Sequence, residues 1–272
     1  MLRLALIGQG IAGSPSPAVH EAFMRSCGIE GTYELHDVGA ALLGEALRRI
    51  REDYRGCNVT IPHKAGVAAL CDALEGDAAL LQVVNTVTVE DGRLIGGNSD
   101  AAGFAVALAN RGLTPQPGTA GLVLGAGGVA SAVGLALARG GVSPLWICAR
   151  RSGAAVRLAR SLRAFAETRT LAWERGEVTS VLETLGVAVN ATPVSISLLP
   201  LHPRDLPSSC TVADVRYAPV PVDVVTAAED TGHRASDGRE MLLQQAMLSF
   251  ERWTGVEPPA AEGRAALERA LA

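Results

Sequence analysis

The stretch GLVLGAGGVASAVGLALARGGVSPLWICARRS, residues 121–152, decides the fold because it predicts a strand, a glycine loop, a helix and a second strand in that order. Its loop, Gly125–Ala130, matches the dinucleotide-binding pattern Gly-x-Gly-x-x-Gly/Ala. That pattern works only where the loop leaves a strand and opens a helix at once, because the loop amides and the helix N-terminus must face a pyrophosphate. This stretch meets the condition. Ala130 replaces the third glycine, which serves close helix packing.

The same alternation continues along the chain. Short apolar runs such as LRLALIG, VAVNAT and TVADVRY suit buried strands, and Gly153–Ala166 has helical periodicity. Strands that alternate with helices predict βαβ units, and hence an α/β fold with a mainly parallel sheet. The segment Arg111–Gly121 concentrates Pro, Gly and Thr. We therefore place a domain junction near it.

Composition narrows the classes of partner. The 272 residues are 48% hydrophobic, enough for one large or two modest domains, and the scattered charges sum to −4. We expect a small-molecule partner and no nucleic acid. Five cysteines without metal-ligand spacing predict reduced thiols in the cytoplasm and no metal site. The uncharged stretch Gly112–Ala138 is long enough to cross a bilayer, but its prolines and glycines argue against one continuous helix, so we expect no membrane partner.

A second glycine loop, GQGIAG at Gly8–Gly13, matches the dinucleotide pattern better but fails its structural condition. The segment that follows is Ser14-Pro15-Ser16-Pro17, whose prolines favour an extended loop where the pattern needs a helix. We expect the helix to begin at Pro17 with Ser16 as its N-cap. The hydroxyls of Ser14 and Ser16 beside a helix N-terminus predict a site for a small carboxylate. The alternative, that Ser16 serves only as a cap, stays open.

The strand after the Gly125–Ala130 loop ends in Arg150-Arg151-Ser152, where an NAD-specific domain places a carboxylate for the ribose. Two guanidinium groups and a hydroxyl suit a 2′-phosphate instead. The segment therefore predicts NADP rather than NAD. A solvated pair of surface arginines is the alternative.

Two charged residues are candidates for catalysis. Gly56–Lys64 predicts a strand and a proline-fixed turn, which deliver Lys64 to a strand terminus, although a lone lysine is normally a solvated charge. A predicted β-hairpin, VTVEDGRLIG, carries Asp100 back toward the same side. His63 is a rival acid, but in an extended turn its side chain points opposite to that of Lys64, so we set it aside.

Nine motifs in this order resemble those of the shikimate dehydrogenase family. They are SPS (14–16), NVTIPHK (58–64), VVNT (83–86), GNSD (97–100), GAGGVA (125–130), ARRS (149–152), VNAT (189–192), DVRYAP (214–219) and DGREMLLQQA (237–246). The resemblance implies two domains of α/β type. Residues 1–103, completed by C-terminal helices in 239–272, form a mixed α/β substrate domain. Residues 104–238 form a Rossmann-like, parallel-sheet NADP domain.

The resemblance also implies a reaction and a set of site residues. The family reversibly reduces 3-dehydroshikimate to shikimate with NADPH, in the biosynthesis of aromatic amino acids. Lys64 and Asp100 match the catalytic pair, to which we assign a joint role in proton transfer. The matches for substrate binding are Ser14, Ser16, Thr60, Asn85, Tyr217 and Gln245. The matches for cofactor binding are Gly125, Ala126, Gly127, Gly128, Val129, Ala130, Ala149, Arg150, Arg151, Ser152, Thr192, Val215 and Gly238.

Two other functions stay open at this stage. The first is a dehydrogenase of the same family that acts on quinate, aminoshikimate or another hydroxylated cyclohexane carboxylate. The second is a non-catalytic dinucleotide-binding sensor. The protein is expected to be a monomer or a homodimer.

Four positions depart from the family's usual residues. Ser99 and Val222 each stand where threonine is usual, Ala149 replaces an asparagine, and Ser195 replaces a glycine. Ser99 keeps the hydroxyl, and Arg150 keeps the phosphate role. Ser195 and Val222 leave the fine substrate preference open.

Overall fold

The computed structural model describes residues 1–218 and 221–272. Pro219 of the DVRYAP motif is one of the two residues outside these ranges. The strands are β1 (Leu2–Gly8), β2 (Gly31–Asp37), β3 (Gly56–Val59), β4 (Ala73–Leu74), β5 (Thr86–Glu90), β6 (Arg93–Gly97), β7 (Ala120–Leu124), β8 (Leu145–Cys148), β9 (Thr168–Leu171), β10 (Leu185–Asn190), β11 (Thr211–Asp214) and β12 (Ala235–Ser236). The α-helices are α1 (Ser16–Ser26), α2 (Leu43–Asp53), α3 (Lys64–Ala68), α4 (Gly76–Leu81), α5 (Asp100–Asn110), α6 (Gly128–Arg139), α7 (Ser152–Leu162), α8 (Arg175–Thr179), α9 (Asp223–Asp230), α10 (Arg239–Thr254) and α11 (Ala260–Leu271).

The chain divides into two compact units, each with its own sheet. The first unit comprises residues 1–103 and 243–272, and the second comprises residues 104–242. The chain therefore passes from one unit to the other inside α5 and inside α10, whereas the Pro- and Gly-rich segment 111–121 lies within the second unit. A helix can cross a unit boundary because its backbone hydrogen bonds are internal to it. The assignment of the units to substrate and cofactor stays a prediction.

The first unit contains a mixed six-stranded sheet in the order β2-β1-β3-β5-β6-β4. The strands β2, β1 and β3 are parallel, and β5 pairs antiparallel with both β3 and β6. The β5–β6 hairpin turns at Asp91 and Gly92, whose φ angles are +50° and +72°. Positive φ at both central residues is typical of the tight turns whose twist matches that of the strands. The predicted hairpin is confirmed.

The second unit contains a six-stranded sheet in the order β12-β11-β10-β7-β8-β9, and its five pairs of neighbouring strands are all parallel. The chain leaves β7 toward β8 on one side and later returns to β10 on the other side. This reversal makes the carboxyl ends of β7 and β10 a topological switch point, where open α/β sheets bind ligands. Ala130, at the start of α6, is fully buried, as close helix packing at that position requires. The α/β class and the Rossmann-like parallel sheet are confirmed.

Within the two described ranges, no helix combines the length and the apolar character that a membrane crossing requires.

Candidate active site

A buried ion pair joins Lys64 and Asp100. The turn after β3 is fixed by a hydrogen bond from Thr60 N to Ile7 O at 2.9 Å, and α3 then begins at Lys64. Lys64 Nζ lies 2.5 Å from Asp100 Oδ2, and the two residues are only 8% and 4% exposed. Burial of this degree makes each charge depend on the other, because an isolated buried charge is strongly disfavoured.

The Asp100 carboxylate is held at both of its oxygens. Asn85 Nδ2 donates to Asp100 Oδ1 at 2.7 Å, while Oδ2 receives the lysine. The Asp100 amide donates to Asn98 Oδ1 at 3.0 Å. Asp100 also opens α5, where the helix dipole favours a negative charge. The carboxylate therefore has a fixed orientation toward Lys64.

Asn85 connects this pair to helix α10. Its Nδ2 atom lies 2.9 Å from Ser99 Oγ and 3.4 Å from Gln245 Oε1, and its Oδ1 atom accepts from Ser99 N at 2.8 Å. Ser99 Oγ donates to the Gln245 carbonyl at 3.1 Å. Ser99, which replaces the usual threonine, thus retains a hydroxyl that serves the network. The structure brings Lys64, Asp100, Asn85 and Gln245 together.

A second row of buried polar residues lies behind this site, and sequence reasoning missed it. Tyr33 OH donates to Asn58 Oδ1 at 2.8 Å, and Asn58 Nδ2 donates to Ser249 Oγ at 2.9 Å. Ser249 Oγ lies 3.0 Å from Thr86 Oγ1, which donates to Asn85 Oδ1 at 2.9 Å. The available signal was the polar Asn58 inside a strand whose residues are all buried.

Ser14 and Ser16 lie together at the start of α1. Ser14 Oγ donates to Ser16 Oγ at 3.2 Å, and the Ser16 amide donates to Ser14 Oγ at 3.3 Å. The helix begins at Ser16 with Pro15 in the N-cap position, and no side chain caps it there. The expectation that Ser16 is the N-cap is therefore wrong by one residue. Ser14, rather than Ser16, satisfies a backbone amide.

The Gly8–Gly13 loop is held by an internal anion. Asp37, at the end of β2, accepts hydrogen bonds from Gly10 N at 2.9 Å and from Ile11 N at 3.2 Å. Thr60 packs against the start of this loop, because a Cβ placed on Gly8 would lie 2.5 Å from the Thr60 methyl carbon. The amides that a phosphate would need are thus already bonded to a carboxylate, which disfavours a second anion there.

The Gly125–Ala130 loop has the opposite character. Gly125 has a φ of +121°, and a Cβ at this residue would lie 2.9 Å from the Ala191 carbonyl oxygen. No side chain caps α6 and its first turn contains no acid. Across the described chain, we find no hydrogen-bond partner for the amides of Ala126, Gly127 and Gly128. Free amides at a helix N-terminus and a close-approaching backbone fit the pyrophosphate of a dinucleotide.

The segment after β8 presents two cations beside a second helix N-terminus. Ala149 is buried, whereas Arg150 and Arg151 are exposed, and α7 begins at Ser152 without an acid in its first turn. In residues 1–218 and 221–272, neither guanidinium group has a hydrogen-bond or ion-pair partner. This arrangement fits a phosphate better than it fits a ribose diol.

The remaining predicted cofactor residues lie in the same unit. Thr192 packs against Gly125, since the Thr192 methyl carbon is 3.1 Å from a Cβ built on that glycine. Val215 adjoins Gly238, where any Cβ would collide with the Val215 carbonyl oxygen. Tyr217 also belongs to this unit, and burial raises the pKa of its phenol. The other predicted substrate residues belong to the first unit.

His63 is turned toward another partner. Its Nε2 atom lies 2.7 Å from the carbonyl oxygen of Val38, and the residue is 3% exposed. The ring therefore supports the turn between β3 and α3 instead of joining the Lys64–Asp100 pair.

Two family models match the chain at its ends. The model described as the shikimate dehydrogenase substrate binding domain matches residues 6–87. The model described as the shikimate 5′-dehydrogenase C-terminal domain matches residues 238–268. The first range contains Asn85 and the second contains Gln245, and these two residues are hydrogen-bonded to each other.

Known proteins resemble the chain over nearly its whole length. A curated shikimate dehydrogenase (NADP(+)) from Methylobacterium radiotolerans is 38% identical, across 94% of this chain and 92% of the relative. The crystal structure of shikimate 5-dehydrogenase from Thermus thermophilus, in complex with NADP(H) and shikimate, has a TM-score of 0.88 and 33% identity and covers 100% of both chains. A quinate dehydrogenase from Corynebacterium glutamicum in complex with NAD has a TM-score of 0.88 at 29% identity, covering 98% of this chain and 99% of that one.

Proposed function

The chain belongs to the shikimate dehydrogenase family, and we propose that it catalyses the reversible, NADPH-dependent reduction of 3-dehydroshikimate to shikimate. The observation that carries this proposal is the buried Lys64–Asp100 pair, with an Nζ–Oδ2 distance of 2.5 Å. Asn85 fixes the carboxylate from its other side. A fixed acid–base pair of this kind is what ketone reduction requires, because the oxygen of the reduced carbonyl must gain a proton.

Lys64 is the proton donor in this proposal. Its ammonium group donates a proton to the alkoxide that forms at the reduced carbonyl, and its positive charge stabilises that oxygen as it develops. Asp100 holds the ammonium group in place and shares in the proton transfer. Asn85, which also bonds to Ser99, keeps the carboxylate from rotating away.

The substrate carboxylate binds at Ser14 and Ser16, whose hydroxyl oxygens lie 3.2 Å apart beside the N-terminus of α1. In this proposal, the substrate ring and its hydroxyls are contacted by Thr60, Asn85, Gln245 and Tyr217. The hydrogen bond between Asn85 and Gln245 supports this assignment, because Asn85 in turn donates to Asp100.

NADPH, when bound, supplies the hydride. The amides of Ala126, Gly127 and Gly128 would bind its pyrophosphate, Arg150, Arg151 and Ser152 would bind its 2′-phosphate, and Ala149 would contact the adenosine. Thr192, Val215 and Gly238 complete the binding surface. The free amides and unpaired guanidinium groups described above support this assignment.

We also propose a cytoplasmic location and a monomeric or homodimeric state. All five cysteines are free thiols, which suits a reducing compartment. Light scattering on the purified protein measures the state directly.

The direct test is a matrix of NADPH and NADH against several acids, with nicotinamide absorbance as the readout. We expect fast oxidation of NADPH by 3-dehydroshikimate, and slower turnover with NADH. In the reverse direction, shikimate should be oxidised faster than quinate. A preparation that binds NADPH but never oxidises it with 3-dehydroshikimate is incompatible with the proposal.

A further inference from the structure

Arg216 lies between Val215 and Tyr217, and two carboxylates hold its guanidinium group. Arg216 Nε donates to Asp214 Oδ1 at 3.0 Å, and Nη2 donates to Asp214 Oδ2 at 2.6 Å. Nη2 also donates to Asp223 Oδ1 at 2.5 Å. The Asp214 side chain is fully buried, and that of Arg216 is 15% exposed. We call Asp214, Arg216 and Asp223 the Arg216 clasp.

The Arg216 clasp reaches three segments at the carboxyl edge of the second sheet. Asp214 Oδ2 also accepts from Asn190 Nδ2 at 2.8 Å, and Asn190 Oδ1 accepts from Thr192 Oγ1 at 2.6 Å. Asp223 Oδ2 accepts from Ile196 N at 2.9 Å. One continuous chain of hydrogen bonds therefore joins the end of β10, the end of β11 and the start of α9.

The main chain at Arg216 is fixed as well. Gly238 N donates to the Arg216 carbonyl at 2.8 Å, and the lack of a side chain at Gly238 permits this approach. Residues 215–218 belong to no strand or helix, although Val215 N still donates to Asn190 O at 3.0 Å. Charged hydrogen bonds are the strong kind, and a network of them rigidifies the backbone that carries it. The clasp therefore sets where the neighbours of Arg216 lie.

We propose that Arg216 is a positioning residue whose clasp fixes Tyr217 for binding of the substrate ring. This inference rests on the proposed function, which gives Tyr217 a contact with the substrate. An arginine suits the task because its planar fork holds two carboxylates in one fixed geometry, whereas a lysine presents a single rotating ammonium group. Arg216 acts through Tyr217 and is not itself a catalytic residue.

The test compares Arg216→Met, Tyr217→Phe and the double variant, with shikimate varied at saturating NADP. We expect Arg216→Met to raise the KM for shikimate about tenfold, with a smaller fall in kcat. Tyr217→Phe should raise the same KM by a comparable factor. The KM of the double variant should exceed that of the worse single variant by less than about twofold. The reason is that both changes remove the same contact, between Tyr217 and the substrate. Arg216→Lys should recover only part of the loss.

A second probe keeps the inference testable if Arg216→Met does not fold. Asp223→Asn leaves the Arg216–Asp214 pair in place, and we expect it to raise the KM for shikimate about threefold. That increase should disappear in the Tyr217→Phe background. A purely structural role of the clasp predicts that the two effects multiply, and multiplication would overturn the inference.

The proposed function can fail separately. If the wild-type protein does not oxidise shikimate with NADP, the proposed function falls and the inference falls with it. If the wild type is active and the effects multiply, the inference alone falls.

Discussion

The two glycine loops, Gly8–Gly13 and Gly125–Ala130, have nearly the same spelling and opposite environments. In the first, the Asp37 carboxylate accepts from Gly10 N and Ile11 N. In the second, the amides lead into α6, and no side chain caps that helix. A glycine pattern therefore shows that a backbone can bind an anion. It does not show whether the anion is a ligand or a side chain of the protein itself.

Much of this difference between the two loops comes from the residues at the end of the strand that follows each loop. In dinucleotide-binding domains, an acid at the end of the second strand binds the ribose. The first unit has such an acid, Asp37, but it binds the glycine loop of its own unit. The second unit has Arg150 and Arg151 at the corresponding place, and both are exposed. The first loop thereby becomes a support for Ser14 and Ser16, while the second remains open to a phosphate.

The largest expected effect concerns the proposed catalytic pair, Lys64 and Asp100, which lies in the same unit as the first loop. Lys64→Met should lower kcat by about 10²–10⁴-fold, because it removes the proposed general acid. The affinity for NADPH should stay within about twofold of the wild type, since the second loop is unchanged. Steady-state kinetics measures kcat, and fluorescence titration measures the affinity for NADPH.

The matched control for this variant is Lys64→Arg, which keeps a positive charge beside Asp100. A thermal unfolding curve of each variant is needed, because Lys64→Met removes one partner of a buried ion pair, which costs about 3–5 kcal/mol of stability. Near-normal turnover in a folded Lys64→Met protein would remove the lysine from the mechanism.

The next largest effect concerns the two arginines proposed to bind the 2′-phosphate in the unit of the second loop. Replacing Arg150 and Arg151 with alanine should raise the KM for NADPH about 10–100-fold and leave the KM for NADH within about threefold. The reason is that only NADPH carries the 2′-phosphate. Arg160→Ala, an exposed arginine of helix α7 that follows Arg151, is the control and should change neither value. Equal losses for both cofactors would refute the phosphate assignment.

A smaller effect is expected at the internal anion of the first loop. Asp37→Ala leaves two loop amides without their acceptor and should cost about 1–3 kcal/mol of stability, less to the extent that water replaces the exposed bond. The KM for shikimate should rise about three- to tenfold through Ser14 and Ser16, while NADPH affinity is unchanged. Glu21→Ala, an exposed charge on α1, is the control. A change in NADPH affinity alone would mean that the first loop serves the cofactor.

Sequence reasoning found the parts of the site that lie at the ends of predicted elements. Lys64 follows a buried strand and Asp100 follows a hairpin, so the sequence alone predicts where both lie. The Asn58–Ser249 hydrogen bond could not be placed, because it joins residues 191 positions apart through packing of α10 on the first sheet. Asp37 was missed for a related reason: its partners lie 27 and 26 positions away, and no local pattern connects them.

The boundary of α1 shows a limit of local rules. A proline disfavours helical backbone in the residue before it, which led us to expect an extended Ser16 before Pro17. Helix ends shift by a residue in most descriptions. The chemical difference is larger, because the Ser14 oxygen takes the Ser16 amide and leaves the Ser16 hydroxyl outside any cap.

The smallest effect concerns the helices that follow the two loops. Helix α1 carries His20, which is fully buried, stacks on Tyr33 at 4.3 Å and meets Phe23 edge-on at 5.8 Å. Burial lowers the pKa of His20 to about 3. Helix α6, after the second loop, contains no histidine or acid. Mild acid should therefore lower the stability of the first unit through His20, and α6 contains no corresponding group.

The sign follows from the two pKa values. The folded pKa of His20, about 3, lies below the unfolded value of about 6.5, so the unfolded chain binds more protons between these values. The His20 contribution to stability is complete above pH 6.5 and is lost progressively as the pH falls toward 3. Between pH 8 and pH 6, we expect wild type to lose about 0.8 kcal/mol more than His20→Phe. Urea unfolding of both proteins at each pH measures this difference, in which the other titrating groups cancel. Parallel losses would mean that His20 has the same pKa in the folded and unfolded chain.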